Sequence, residues 1–428
     1  MRTGAEIDTE EEDFVREATQ AKRRLPVVES RRPGSFVMDE YDRVIVSYSS
    51  MKQLRNCPRK YKRRYLDWIV PAYIRPGDPR NWGSCIHRGL EIMLAHGDDA
   101  TSMVDEAIVK YWGDVARDHE AFQARARAQA ALNEYSERWY AADPGQANHH
   151  WEPVLIEKKF TGDIIHPDTG QVHQRYSIGG KVDGVVRVTE ACRWGACDIR
   201  PGLYLKENKT AKSISENYLT RLWTDMQILL YSHYVADGLG EPVIGILYDI
   251  VGKTDLAHTD AESPAEFEKR KADALKQAEA GEYPTRLRKR NDELPEDFER
   301  RKKARAIELI EELRPRERES DESYSDRLAK SYKNESMMCR AYVEVDTRAV
   351  VDVRRELWLL LERHDAHQLN GQWGKNEDHC FAYFRKCDYW ALCTSFDSPT
   401  VLDQYVIRQP HEEQEATEDE STPLPSMA

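Results

Sequence analysis

The strongest constraint on this chain is a set of cysteines. Residues 380–393 read CFAYFRKCDYWALC, which spaces Cys380, Cys387 and Cys393 as C-x6-C-x5-C. Three thiolates are one short of the four that a metal cluster normally takes. Cys57 stands far upstream, in the aromatic and basic stretch RNCPRKYKRRYLDW. If these four hold one group, the two ends of a long segment must meet. Everything between them then folds inside one closed frame.

The 428 residues are 40% hydrophobic and 32% charged. That supports one large domain or two ordinary ones. No stretch approaches the run of about 18 apolar residues that would suggest a membrane span. The first residues, MRTGAEIDTEEEDF, hold no apolar signal core. The expectation is a protein of the cytoplasm, bacterial or phage-encoded, with no membrane partner. Eight cysteines in such a setting point to metal ligation or free thiols rather than disulfides. The net charge of −13 is concentrated at the ends: residues 1–13 contribute −5 and 411–428 contribute −6, leaving the body near neutral. Both acidic ends read as solubilising tails, with mimicry of nucleic acid as the alternative.

Residues 1–40 read as a flexible leader, 41–400 as one domain, and 401–428 as an acidic tail. Ser50 with Gln53 has the pattern of a capping box. Met51, Leu54, Cys57, Tyr61, Tyr65 and Trp68 recur at helical spacing, with a break expected at Pro58. Lys52, Arg55, Arg59, Lys60, Lys62, Arg63 and Arg64 fall within the same thirteen residues, with no acid among them. Such a patch can hold phosphates whatever the global charge. Further helices are expected over 82–96, 101–142 and 213–236. Strands are expected in PVLIEKKFTGDII, YSIGGKVDGVVRV, GLYLKENKT and VIGILYDIV. This order implies an α/β domain with a mixed sheet and flanking helices. Residues 255–335 are charged and helical, and read as an insertion. They hold a loose repeat: Glu262 to Arg270, Glu293 to Arg301 and Glu319 to Arg327. Three helices that start alike explain it better than a regular solenoid, because the offsets of 31 and 26 are uneven.

The chemistry lies between the cysteines. Asp183 sits on an expected strand with glycines on both sides, which would let a ligand approach. Glu207 and Lys209 are two apart on another strand and so share a face. Two carboxylates on neighbouring strands can share a hard divalent cation, and a lysine beside them can orient or help deprotonate water and offset phosphate charge. His87, on a helix, adds an imidazole. Gln227 and Tyr231 are four apart on one helix face and could position a strand of substrate. Each is unremarkable alone; a lone strand carboxylate is usually a surface group. Their order is what carries the argument.

That order resembles the PD-(D/E)XK nuclease superfamily, in its RecB-like branch with an iron–sulfur cluster. The matching stretches are SYSSMKQLRNCPRKYK, GSCIHRGL, GGKVDGV, LKENKTA, QILLY and the final cysteines. The resemblance implies a restriction-endonuclease-like mixed sheet flanked by helices, a helical iron–sulfur region and the charged insertion. It implies a DNA exonuclease using Mg²⁺ or Mn²⁺, with metal ligands His87, Asp183 and Glu207, catalytic Lys209, and Gln227 and Tyr231 as accessory groups. Glu157 falls where many members carry a further acid. Cys57, Cys380, Cys387 and Cys393 would hold a [4Fe-4S] cluster, sheltered by Tyr383, Tyr389, Trp390 and Leu392. Spacing alone is equally compatible with zinc; the resemblance favours iron–sulfur. Cys192 and Cys197 read as a turn with two buried thiols. The implied partners are DNA single strands or ends and, in recombination, repair or CRISPR-type processing, a helicase, recombinase or annealing protein. A non-catalytic DNA-binding module is the other reading. Oligomeric state is not legible.

Overall fold

The computed structural model describes residues 38–72, 79–112, 119–141, 145–382 and 385–407. The acidic leader up to residue 37, the tail from residue 408, and Tyr383 lie outside the described residues. In chain order the elements are β1 (Val44–Ser47), α1 (Tyr48–Asn56), α2 (Pro58–Tyr61), β2 (Ile69–Pro71), α3 (Pro79–His96), α4 (Thr101–Trp112) and α5 (His119–Ser136). Then come β3 (Trp151–Ile165), β4 (Val172–Val188), the short β5 (Cys192–Trp194) and β6 (Cys197–Ile199), and β7 (Gly202–Ala211). α6 (Glu216–Leu222), α7 (Met226–Leu239) and β8 (Val243–Gly252) follow, then α8 (Pro264–Glu279), α9 (Pro295–Glu311) and α10 (Asp321–Tyr332). β9 (Met338–Glu344), α11 (Thr347–Asn370), α12 (Trp390–Thr394), α13 (Pro399–Leu402) and β10 (Tyr405–Ile407) follow among the described residues. No helix among the described residues is long and apolar enough to cross a membrane.

Two compact units are present, one of Met1–Lys253 with Glu335–Ala428 and one of Thr254–Asn334. The first is organised by a six-stranded mixed sheet in the order β1-β4-β7-β8-β9, with β3 also on β4. β1–β4 and β7–β8 are parallel; β3–β4, β4–β7 and β8–β9 are antiparallel. β3 runs along almost all of β4, so β1 and β7 share its other side in succession. β1 pairs with Tyr176–Gly179 and β7 with Gly184–Val188. Residues 180–183 fall in the gap between those two ladders, and Asp183 is one of them.

Apolar side chains on one sheet face, among them Ile178, Val182, Leu203, Leu205 and Ile246, pack with Met51, Leu54, Ile228, Tyr231 and Leu361 from helices. Val186, Tyr204, Leu247 and Trp194 pack on the other face with Leu94 of α3. The glycines around Asp183 serve this packing. A Cβ on Gly180 would lie 2.7 Å from ring atoms of Phe160 and Tyr231, and one on Gly184 would lie 2.7 Å from Leu94 Cδ2. They admit side chains from neighbouring elements, where ligand access was expected.

Local signals shift in three places. The capping box is formed by Ser47 and Ser50, whose hydroxyls and backbone N–H groups exchange bonds of 3.2 Å, not by Ser50 with Gln53. α1 then stops before Pro58, with Cys57 extended between two helices, because proline suits a first helical turn but cannot donate within one. The helix expected over 213–236 is two, since the Asp225 carboxylate accepts the Gln227 N–H at 3.2 Å and starts a new N-terminus. Cys192 and Cys197 lie on the β5–β6 hairpin and are partly exposed rather than buried.

The second unit shows what the repeated sequence means. Glu262 and Arg270, Glu293 and Arg301, and Glu319 and Arg327 each form a bidentate ion pair with bonds of 2.6–2.9 Å. In each copy the guanidinium also lies 5.3–5.6 Å from the ring of Phe267, Phe298 or Tyr324. Each arginine donates further to a backbone carbonyl, of Arg314, Arg288 and Ala257 respectively. Ser263 and Ser320 cap two of the helices, whereas Leu294 gives α9 no side-chain cap. The shared device is therefore the Glu–Arg clamp, with capping secondary.

Candidate active site

β7 alternates, so Glu207 and Lys209 lie on one face and Lys206 and Asn208 on the other. The β4–β7 ladder ends at Gly184–Lys206. Past that point the Asn208 N–H has no strand partner and donates to Asp183 Oδ2 at 2.8 Å. This bond ties Asp183 to the strand that carries Glu207. His87, on α3, brings Nδ1 to 3.4 Å from the same Asp183 oxygen. Lys209 Nζ lies 2.8 Å from Glu207 Oε1 and 3.3 Å from Asp225 Oδ2. The structure thus brings His87, Asp183, Glu207 and Lys209 to one place.

Their electrostatics are those of crowded, buried charge. Burial pushes the Glu207 carboxyl up to about 8, the Asp183 charge adds to this, and Lys209 opposes it. Burial also works against Asp183, but His87 and the Asn208 N–H hold it below the usual carboxylate value. Burial disfavours the Lys209 ammonium, yet Glu207 and Asp225 raise its pKa well above the ordinary lysine value. Lys209 is therefore a cation here, suited to orienting water and offsetting phosphate charge rather than taking a proton. His87 is likewise opposed by burial and raised by Asp183, Glu207 and Glu157.

Glu157 and Asp183 are the two residues left between the pairs Ile156–Gly184 and Lys158–Val182 of the β3–β4 ladder. The Glu157 φ of +49° is in the left-handed region, where a non-glycine residue costs on the order of 1–3 kcal/mol. Its carboxylate is paired with Lys181. Gln227 is half-buried in the first turn of α7 beside Asp225. Tyr231 is buried instead, edge-on to Phe160 at 4.9 Å.

Two groups were missed from sequence. Asp225 reads there only as a helix residue, because the break that exposes it is set by its own cap. On the opposite face of β7, Lys206 Nζ lies 2.9 Å from Asp249 Oδ2, and Arg340 Nε lies 3.0 Å from Asp249 Oδ1. Tyr135 donates to Asp249 at 2.6 Å, and the Arg340 guanidinium lies 4.0 Å from the Trp194 ring and 4.2 Å from that of Trp139. Lys206 also donates to Asn208 Oδ1 at 2.5 Å. This buried network braces the strand segment whose N–H holds Asp183.

The basic residues near Cys57 divide. Lys60 faces Asp388, Lys62 and Arg63 face Asp67, and Arg63 also pairs with Asp397. The backbone and side chain of Arg59 donate to the carbonyls of Gly374 and Trp373. Lys52, Arg55 and Arg64 form no salt bridge among the described residues: Arg55 donates to Met226 Sδ, and Lys52 and Arg64 lie over the rings of Tyr48 and Tyr65. Much of the expected phosphate patch is thus internally neutralised.

The same pairs fasten the C-terminal cysteine segment to the start of the domain. Asn376 donates to the Asn56 carbonyl at 2.9 Å, Tyr389 donates to that of Ile69 at 2.6 Å, and β10 pairs with β2. Cys57, Cys387 and Cys393 lie within electrostatic range of one another. The Cys387 N–H donates to the Cys380 carbonyl at 2.8 Å. All four are free thiols, and burial raises those of Cys387 and Cys393.

Among the described residues, no group of three or more His, Cys, Asp or Glu side chains is gathered so as to hold a metal ion. The candidate ligands are engaged with internal partners instead: Asp183 with His87, and Glu207 with Lys209. No curated protein matches the chain. The family model of the PD-(D/E)XK nuclease superfamily matches residues 45–394, a span that holds the forked strands, Asp183, Glu207, Lys209 and the four cysteines. On that match, and with a mixed sheet flanked by helices of the kind such a fold requires, the chain belongs to the PD-(D/E)XK nuclease superfamily.

Proposed function

We propose that the protein is a divalent-metal-dependent DNA exonuclease acting on single strands or ends, with an iron–sulfur staple. The observation that carries this reading is the meeting of Asp183, Glu207 and Lys209 at the fork of β4 and β7. The donor set suits a hard dication. Burial and the charge of Asp183 together raise Glu207 to about 8, and a cation between the two carboxylates would relieve their repulsion. His87, Asp183 and Glu207 would hold Mg²⁺ or Mn²⁺. When bound, the cation would activate water and neutralise charge on the phosphate.

The chain's own groups supply the rest. Asn208 N–H fixes one Asp183 oxygen. Lys209, kept cationic by Glu207 and Asp225, orients the attacking water and offsets the phosphate charge. The water oxygen forms the new P–O bond while the bond to the leaving oxygen breaks with its electron pair. Water loses a proton and the leaving oxygen gains one.

Cys57, Cys380, Cys387 and Cys393 would hold the [4Fe-4S] cluster. The bonds of Asn376 to Asn56 and Tyr389 to Ile69, with β10 paired to β2, support that assignment. Bound there, the cluster would supply a covalent tie between two segments distant in sequence. Tetrahedral zinc on the same thiolates is distinguished by iron and sulfide content.

The decisive test is degradation of end-labelled single- and double-stranded DNA by anaerobically purified protein in Mn²⁺, beside Glu207→Ala and Lys209→Ala. Loss of label by the wild type alone supports the reading, and the product ladder gives polarity. Cleavage of closed circles would make it an endonuclease. If all three bind DNA and none cleaves it, the non-catalytic module is correct.

A further inference from the structure

One buried group beside this site has no protein partner among the described residues. Tyr248 is fully buried, and its hydroxyl makes no hydrogen bond there. Most buried polar atoms are paired, so an exception calls for an explanation. In the parallel β7–β8 register Tyr248 is directly opposite Glu207. Neighbours across a ladder point to the same face, about 5 Å apart. Lys209, two residues on from Glu207, shares that face. The Asp225 and Glu207 carboxylates and the Tyr218 phenol lie within electrostatic range of the hydroxyl. The phenol is therefore directed into the site from the floor of the sheet. A residue placed only to fill the core would be served as well by phenylalanine.

We propose that Tyr248 is a positioning residue of the active site, whose hydroxyl oxygen accepts a hydrogen bond from the attacking water. The proposal rests on the reading of the site as one that hydrolyses phosphodiesters. In this arrangement the water donates one proton toward Tyr248 and has a lone pair aimed at phosphorus. Tyr248 forms no covalent bond and takes no proton; it removes rotational freedom from the nucleophile.

The test is Tyr248→Phe in the full chain, which keeps ring and volume. The readouts are kcat and KM on end-labelled DNA in Mn²⁺, DNA affinity in Ca²⁺, and Tm. The expected result is a fall in kcat of about tenfold, the worth of one oriented hydrogen bond, with KM and affinity unchanged. Tm should not fall, because the hydroxyl has no protein partner to lose. A kcat within about twofold of wild type, roughly 0.4 kcal/mol in the barrier, overturns the proposal. So does a lowered Tm, which would reveal a structural bond. If wild type cleaves, Glu207→Ala does not, and Tyr248→Phe matches wild type, only this inference fails. If wild type does not cleave, the proposed function fails and this inference with it.

Discussion

Lys209 is clasped between Glu207, its neighbour on the strand, and Asp225, which caps the next helix but one: Nζ lies 2.8 Å from Glu207 Oε1 and 3.3 Å from Asp225 Oδ2. The contact with Asp225 exists because the chain breaks after α6 and restarts with Asp225 as N-cap. One carboxylate thus starts a helix and, after Glu207, favours the ammonium form of the lysine at the site.

Asp225→Asn separates those two roles. Asparagine caps a helix about as well as aspartate, so Tm should hold within a few degrees. Lys209 loses one of its two anions, and kcat should fall by about tenfold to a hundredfold. Steady-state kinetics beside a thermal melt decides the point; wild-type kcat would show that Glu207 suffices.

The raised Glu207 carboxyl gives stability a defined pH dependence. Its ordinary value is 4.5, and in the fold it is about 8. The folded state therefore holds its proton more tightly than the unfolded chain does. This contribution is fully present below pH 4.5 and is lost as pH rises through 8. Glu207→Gln, which copies the protonated form, should raise Tm at about pH 8.5 and leave it unchanged at about pH 5. Parallel melts without divalent cation test this, and equal shifts at both pH values would contradict it.

The Glu–Arg clamps of the second unit act in the opposite direction. The arginine partners hold Glu262, Glu293 and Glu319 down at about 2 against an ordinary 4.5. Their contribution is present above pH 4.5 and disappears as pH falls through 2. Hydrogen exchange in residues 254–334 of the whole protein should accelerate across that window. A variant with all three glutamates changed to glutamine should exchange faster at about pH 6 and respond less to acid.

The basic helix should read out by position. Lys52 and Arg55 form no salt bridge among the described residues, so charge reversal there should weaken DNA binding. The salt slope should fall by about one for each phosphate no longer neutralised. Charge reversal at Arg63, paired with Asp67 and Asp397, should lower Tm instead. Titrations at several salt concentrations, with melts of each variant, separate the two effects.

Cys387→Ser removes one of the four thiolates. Iron and sulfide content should fall, and soluble yield with it, because the two segments would be held only by their hydrogen bonds, ion pairs and the β2–β10 ladder. A Cys387→Ser protein that stays folded, active and free of iron would remove the staple from the account.

The strands around the site were legible because alternation is local: Glu207 and Lys209 share a face from spacing alone, and the GGKVDGVV run reads as a strand. The break at Pro58 followed from proline's missing N–H. Asp225 and Tyr248 were not legible. Asp225 has the character of any polar residue in a long helix, and Tyr248 that of one more apolar strand position in VIGILYDIV. Lys206 gave no signal either, since a buried charge is visible only once its counter-ion, Asp249 supplied here by β8, is in place. The ion pairs of Lys60, Lys62 and Arg63 were hidden for the same reason, because two of their three partners, Asp388 and Asp397, come from the far end of the chain.

Residue order alone determined which side chains share a strand face, where helices must stop, and how the four cysteines are spaced. Tertiary structure alone decided that β1 and β7 would divide one side of β4 between them. That division leaves residues 180–183 in a gap, frees the Asn208 N–H and turns it onto Asp183. Strand alternation is a property of a few consecutive residues. A fork depends on which distant strands win the same hydrogen-bonding edge, and that free energy resides in contacts between residues far apart in sequence.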